Sequence, residues 1–234
     1  MAGLDSNLLV MGACYLYIVL VIILSGAIKR SGLVDPKTSR KFLHAMIGNL
    51  PLIMPYFTEA IYPVLVASPF ILVTFLATPF SPFPVLLNSL GSLGELTEEG
   101  HSTGLVLYAI SYTLLAYLYG MSPYIVAAGI FPMAYGDSSA ALIGARYGRT
   151  KYRLFEEKSV QGSAGMFLGS LLSLLLGMMY FSSIYGFSFT DQLVPVLAVS
   201  LVTTVLEAVS PSGLDNILVP LLGAYTFIAT GGGL

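Results

Sequence analysis

Apolar stretches of about 20 residues, the length an α-helix needs to cross a ~30 Å hydrocarbon core, recur along this whole chain. They leave no run long enough to build a separate water-soluble domain. Composition agrees: the 234 residues are 56% hydrophobic and only 9% charged, whereas soluble domains carry roughly 25% charged residues. Reading apolar length against polar breaks places spans at Leu8–Ile28, Phe42–Phe57, Ala60–Pro79, Gly104–Tyr119, Tyr124–Ala145, Ser163–Phe187, Gln192–Val209 and Leu214–Thr230. The expected fold is all-α, a polytopic transmembrane bundle of about eight helices forming a single domain over residues 1–234. Phe42–Phe57 is the weakest of these spans. It is short and contains Gly48, Pro51 and Pro55, which a membrane helix tolerates only where neighbours satisfy the freed backbone groups.

Net charge is −2, so nothing global favours nucleic acid, and the placement of the charges matters more than their sum. All ten Lys and Arg residues fall in two segments: Lys29, Arg30, Lys37, Arg40 and Lys41, then Arg146, Arg149, Lys151, Arg153 and Lys158. The positive-inside rule makes both segments cytoplasmic. The spans assigned between them number four, so the parity closes if Phe42–Phe57 spans fully or another assigned span also fails, and both termini then face outward. The polar stretch Ser81–Thr103, Asp137, Glu207, Asp215 and Asn216 then fall on the same cytoplasmic side, leaving only Asp5, Glu59 and Asp191 as charged groups opposite. The residues before the first span lack the basic region of a secretory signal, so that span is expected to be retained. The lone Cys14 lies within it and reads as a small buried hydrophobe.

The densest chemical signal is GDSSAALIGARYGRTKYRLFEEKSVQG, residues 136–162. Asp137 stands near the cytoplasmic end of a span, and an ionisable group in a membrane helix is costly enough to be read as functional. It is also the right residue type for Mg²⁺, which prefers carboxylates, water and substrate phosphates. Arg146, Lys151 and Lys158 can neutralise phosphate oxygens, and the backbone amides near Gly162 and Ser163 open a helix, where anions dock. Gly144 and Gly148 read equally well as helix-packing residues. No Walker A spacing occurs in the chain.

Three further constellations fall on the same side. In EAVSPSGLDN, Pro211 and Gly213 make a tight turn with Glu207 before it and Asp215 and Asn216 after it, and these side chains are expected to converge with Asp137 on one or two metal ions. Helix capping by Asp215 is the plainer alternative, but it does not explain Glu207. In RKFLH, Arg40 and His44 share a helical face and Lys41 is adjacent, which would grip phosphate or anchor the interface. The loop GELTEEGHSTG brings Glu95, Glu98, Glu99 and His101 together, as a metal-binding or proton-accepting cluster or as a solvated acidic loop. Two His residues without close ligand spacing argue against zinc.

RKFLH, EEGHSTG, GDSSAALIGARYGRTK, KSVQGSAGMF and EAVSPSGLDN, in that order from Arg40 onward, resemble the polyprenol kinase family. That family includes dolichol and phytol kinases and is related to the membrane CDP-diacylglycerol synthases. The motif-bearing region is about 40–217. The resemblance implies Mg²⁺-dependent transfer of the γ-phosphate of CTP to the hydroxyl of an isoprenoid alcohol. It further implies Asp137 and Asp215 as metal ligands with Glu207 and Asn216 in support, and Lys151, Lys158 and Ser159 on the nucleotide phosphates. Arg40, Lys41 and His44 would complete the pocket, and Asp137, Glu99 or His101 would be the general base. Dolichol kinases commonly carry Glu where this chain has Gln161, and KSVQGSAGMF is more similar to the phytol kinase form. Two rival expectations remain: a cytidylyltransferase of the same superfamily, and a transporter. A transporter would also use acids at helix ends but would need polar groups along the outer half of its pathway, where few occur.

Overall fold

A computed structural model describes residues 2–32, 36–82, 103–211 and 213–233. Among them are eight helices: α1 (Ala2–Arg30), α2 (Pro36–Ile47), α3 (Ile61–Leu76), α4 (Gly104–Tyr119), α5 (Pro123–Tyr147), α6 (Val160–Tyr185), α7 (Leu193–Val209) and α8 (Asp215–Ala229). One short hairpin, β1 (Lys151–Arg153) with β2 (Glu157–Ser159), joins α5 to α6. Four helical stretches are long and apolar enough to cross a bilayer: Ser6–Arg30, Pro123–Tyr147, Val160–Tyr185 and Thr190–Val209. The protein is thus a helical membrane protein. Its outward surface is the kind that lipid covers, with Leu168, Leu172, Leu176 and Met179 exposed in a stripe along α6. Cys14 is buried in the core, as its surroundings in the sequence suggest.

The segment expected as one span at Phe42–Phe57 is interrupted. Its α-helix ends at Ile47, and two single 3₁₀ turns follow at Leu50–Leu52 and Met54–Tyr56. Each turn carries a proline in its first positions, where the missing amide costs nothing. Gly48 sits where the chain passes α5 so closely that a Cβ would strike the Ala134 side chain.

Two prolines inside other helices free carbonyls that side chains of neighbouring helices take up. Pro69 in α3 cannot donate to the Leu65 carbonyl four residues earlier, and the Tyr15 hydroxyl of α1 donates to that oxygen at 2.7 Å. Pro220 in α8 likewise frees the Asn216 carbonyl, which accepts from the Ser111 hydroxyl of α4 at 2.9 Å. Each lost intrahelical bond becomes an interhelical one, as hydrocarbon requires.

Helix α5 is the centre of the bundle, with Val126, Ala127, Ala128, Ile130 and Ala134 fully buried. At Pro132–Gly136 it widens into a π turn, and the Asp137 amide donates to the Pro132 carbonyl five residues back. Its second half packs on the first half of α6 through small residues on both sides. A Cβ at Gly162 would lie 3.0 Å from Ser159 Oγ and 3.3 Å from the Ala140 carbonyl, and one at Gly165 would lie 3.0 Å from the Ser139 carbonyl. A Cβ at Gly169 would stand 2.8 Å from the Tyr135 carbonyl, a backbone atom that cannot swing aside. Gly169→Val should therefore destabilise the protein by about 1–3 kcal/mol, the usual cost of overpacking. Thermal unfolding in detergent checks this, with Leu168→Val on the exposed stripe as a control that should unfold with the wild type.

Candidate active site

The polar residues gather at one end of the bundle, around a cavity of 310 Å³. Alternating helix direction explains why residues so far apart in sequence meet there: α4, α6 and α8 begin at this end, while α5 and α7 finish at it. Lys41 and His44 enter from α2, Asp137 and Gly144 from α5, Lys151 and Glu156 to Ser159 from the hairpin, Gly162 and Ser163 from α6, Glu207 from α7, and Asp215 and Asn216 from α8. Three of the described helix N-termini thus point at one space, each with a partial positive charge.

Asp137 follows directly on the π turn and is buried. It forms an ion pair with Lys41, whose side chain is 13% exposed. The neighbouring Ser138 hydroxyl lies within hydrogen-bonding distance of the Ala134 carbonyl (2.6 Å) and the Lys41 carbonyl (3.1 Å), tying α2 to α5. A second set of polar contacts lies one turn away. The Tyr135 hydroxyl donates to Asn49 Oδ1, Asn49 Nδ2 donates to the Tyr17 hydroxyl at 3.0 Å, and that hydroxyl donates to the Met46 carbonyl at 2.7 Å. The α2 segment carrying Lys41 and His44 is therefore held against α5 from both sides.

The hairpin is built for a similar purpose. Its register pairs Lys151 with Ser159, Tyr152 with Lys158 and Arg153 with Glu157. Gln161 accepts from the amides of Arg149 and Thr150 at 3.1 and 3.2 Å, and the Tyr152 hydroxyl lies 2.6 Å from Ser163 Oγ. Ser159 caps α6 by accepting from the Gly162 amide at 3.0 Å. Lys158 then reaches across the cavity mouth to donate to Glu207 Oε1 at 2.7 Å and to the Glu207 carbonyl. Glu157 and Lys151 form a second, exposed pair at 3.7 Å.

At the start of α8, Asp215 Oδ1 accepts from the Asn216 amide and from Asn216 Nδ2, both at 3.0 Å. Asn216 Oδ1 is left buried with no hydrogen-bond partner among the described residues, although Asn216 lines the cavity. Among the described residues no three His, Cys, Asp or Glu side chains stand close enough to hold a metal ion between them. Asp137, Glu207 and Asp215 share the cavity, but Asp137 is turned onto Lys41 and Glu207 onto Lys158. What the protein offers is one or two carboxylates and an amide oxygen facing an open space. That set fits Mg²⁺, which takes its remaining ligands from phosphate and water, better than a cation needing a full protein cage.

Of the residues singled out from sequence, Lys41, His44, Asp137, Lys151, Lys158, Ser159, Gly162, Glu207, Asp215 and Asn216 all line this one cavity. Arg146 does not: it is exposed on the last turn of α5, its guanidinium 5.5 Å from the Tyr147 ring centroid. Arg40 stands on α2 beside Lys41. Glu99 and His101, with Glu95 and Glu98, lie outside the described residues. Gly144, Gly148 and Gly162 act as packing residues around Ser159 and the α5–α6 contact. Glu156 and Glu157 also reach the cavity and were not singled out, because only the hairpin's fold-back distinguishes them from solvated loop acids.

A membrane helical bundle that gathers lysines, carboxylates and helix N-termini around one cavity at its end has residue types that can neutralise phosphate. Over 219 residues the chain is 32% identical to a phytol kinase of Synechocystis, covering 90% of this chain and 86% of that protein. It is 30% identical to a probable chloroplastic phytol kinase 1 of Glycine max (82% of this chain, 66% of that protein), and 28% identical to a chloroplastic farnesol kinase of Arabidopsis thaliana (85% and 67%). No family model and no solved structure matches. The chain belongs to the polyprenol and phytol kinase family, and is a lipid kinase with an isoprenoid alcohol as acceptor.

The Lys158–Glu207 pair is nearly buried, at 15% and 11% side-chain exposure, so removing one partner strands the other. Lys158→Ala should lower stability by about 1.5–3 kcal/mol, the range for hydrogen bonds to charged groups. The double variant Lys158→Met with Glu207→Leu should recover part of that loss in thermal unfolding while remaining inactive. A double variant no more stable than the single one would contradict this account.

Proposed function

We propose that this cavity transfers the γ-phosphate of CTP to the hydroxyl of a phytol- or farnesol-like alcohol, with Mg²⁺, at the cytoplasmic face of the membrane. The observation that carries the reading is the convergence of Lys41, Lys151 and Lys158 with Asp137, Glu207 and Asp215 in one cavity, from five separate elements. Phosphoryl transfer demands positioning and charge neutralisation more than covalent help, and this is what such a cavity supplies. The names of the relatives, phytol kinase and farnesol kinase, support the choice of acceptor class.

The nucleotide phosphates are bound by Lys151, Lys158 and the amides at the start of α6, with Lys41 and His44, and Arg40 beside them, on the opposite wall. Mg²⁺, held by Asp137 and Asp215 with Glu207 and Asn216 in support, would offset charge building up on the phosphates. As Lys41 and Lys158 turn toward phosphate oxygens, Asp137 and Glu207 are released from their ion pairs. The acceptor oxygen attacks the γ-phosphorus, the bond to the β-phosphate oxygen breaks, and the hydroxyl proton passes to a base, Asp137 or, from the segment before α4, Glu99 or His101. CDP and an isoprenoid monophosphate leave.

The orientation follows from the ten basic residues, which the positive-inside rule keeps in the cytoplasm together with this end of a single membrane domain. Both termini then lie on the opposite side. Nucleotide enters from water and the alcohol from the bilayer.

Purified protein incubated with γ-labelled CTP, Mg²⁺ and phytol or farnesol should place label in the lipid phase, whereas α-labelled CTP should not. Chelation of Mg²⁺ should abolish transfer, and Asp137→Asn should reduce it about 10²–10³-fold, as loss of a preorganised charge-stabilising group does. Transfer from the α-labelled nucleotide onto a lipid phosphate would replace the kinase by a cytidylyltransferase. Full activity of Asp137→Asn would remove that carboxylate from the mechanism.

A further inference from the structure

A second cavity, of 80 Å³, lies against the polar one, and His44 and Leu105 line both. Its wall, drawn from α1 to α4, is almost wholly carbon. Thr74 belongs to it, but its hydroxyl lies 2.6 Å from the Phe70 carbonyl of its own helix. The other polar atoms of note are the hydroxyls of Tyr108 and Tyr112, both residues 5% exposed, and neither hydroxyl has a hydrogen-bond partner among the described residues. Tyr108 stacks on His44 with ring centroids 4.8 Å apart, so its ring stands where the two cavities meet. Tyr112 lies one turn further along α4, away from the polar end.

We propose that this apolar cavity holds the hydroxyl-proximal part of the acceptor's isoprenoid chain, with the alcohol oxygen emerging beside the His44–Tyr108 stack into the polar cavity. The proposal rests on the kinase reading. An alcohol acceptor must bring an oxygen to the phosphate site while keeping its chain out of water, and a carbon-lined space that shares His44 and Leu105 with that site is placed to do both. A buried donor without a partner calls for an explanation, and the acceptor's own oxygen supplies one for Tyr108. Volume sets a limit on what is recognised. The cavity is smaller than the ~150 Å³ that takes a benzene ring, so it accommodates about the first isoprene unit. The half-buried wall residues Ile22 and Phe70 place the way out to lipid between α1 and α3. The isoprene unit that carries the hydroxyl is therefore read closely, and the remaining chain length hardly at all.

The test uses a phytol analogue with a photoreactive diazirine on its hydroxyl-proximal unit, incubated with the intact protein, and kinetics of Ala109→Phe and Tyr108→Phe. Label should fall on α2 and α4 and be displaced by unlabelled phytol. Ala109→Phe, which fills the cavity, should raise the KM for phytol and for farnesol about tenfold or more, the scale on which apolar pockets discriminate, and leave the KM for CTP unchanged. Tyr108→Phe, which removes one oxygen and no volume, should raise the alcohol KM by a smaller factor and also spare CTP. Transfer by the wild type with label confined elsewhere, or a folded Ala109→Phe with unchanged alcohol KM, would overturn the site and leave the kinase reading standing. Label on α2 and α4 of a protein that transfers no phosphate would support the lipid site and overturn the kinase reading.

Discussion

Hydrocarbon offers a backbone no hydrogen-bonding partner, and much of this structure follows from how the chain meets that demand. Thirteen prolines in 234 residues would leave a membrane bundle with orphaned carbonyls unless side chains filled in. Tyr15 does so for Leu65, where Pro69 breaks α3, and Ser111 does so for Asn216, where Pro220 interrupts α8. The second of these reaches into the chemistry. By taking the Asn216 carbonyl, Ser111 pins the first turn of α8 against α4, and the same turn presents Asp215 and Asn216 to the cavity.

The α5–α6 contact is the other determinant of the site. Glycines on both helices bring their backbones close enough that a single Cβ at Gly165 or Gly169 would meet a carbonyl at 3.0 or 2.8 Å. That approach puts the start of α6 beside the second half of α5, with the hairpin folded over the junction and Lys158 reaching to Glu207 on α7. Packing and the geometry of the polar cavity thus rest on the same set of contacts, and the glycines serve both.

Charge in the cavity is balanced by proximity. Lys41 neutralises Asp137 and Lys158 neutralises Glu207, so the protein holds two nearly buried carboxylates without an uncompensated charge. In the proposed reaction such pairs would exchange, an incoming phosphate offering the lysines a new partner and freeing the carboxylates. Asn216 Oδ1 and the Tyr108 hydroxyl are both buried with no hydrogen-bond partner among the described residues, and under the proposed reading they are two places where an ion or substrate would supply one.

Much of this was legible in the sequence, because membrane length and cost impose strong patterns on it. Apolar runs located most helices to within about three residues, as at Gly104–Tyr119, though not the six residues by which α1 begins before Leu8, and the expense of ionisable groups in spans singled out Asp137 and Glu207. Motif order placed ten candidate residues that the fold then gathered around one cavity. The interruption after Ile47 was foreshadowed by Gly48, Pro51 and Pro55, but its form depended on how close Gly48 comes to Ala134. Three things needed the tertiary structure. The π turn at Pro132–Gly136 inserts a residue whose effect on the facing of Asp137 no 3.6-residue periodicity contains. The hairpin's fold-back turned Glu156 and Glu157 toward the cavity and left Arg146 outside it. The apolar cavity beside His44 is formed by the four successive helices α1 to α4, and since apolar side chains look alike whether they face lipid, core or ligand, only their packing shows which of them enclose a space.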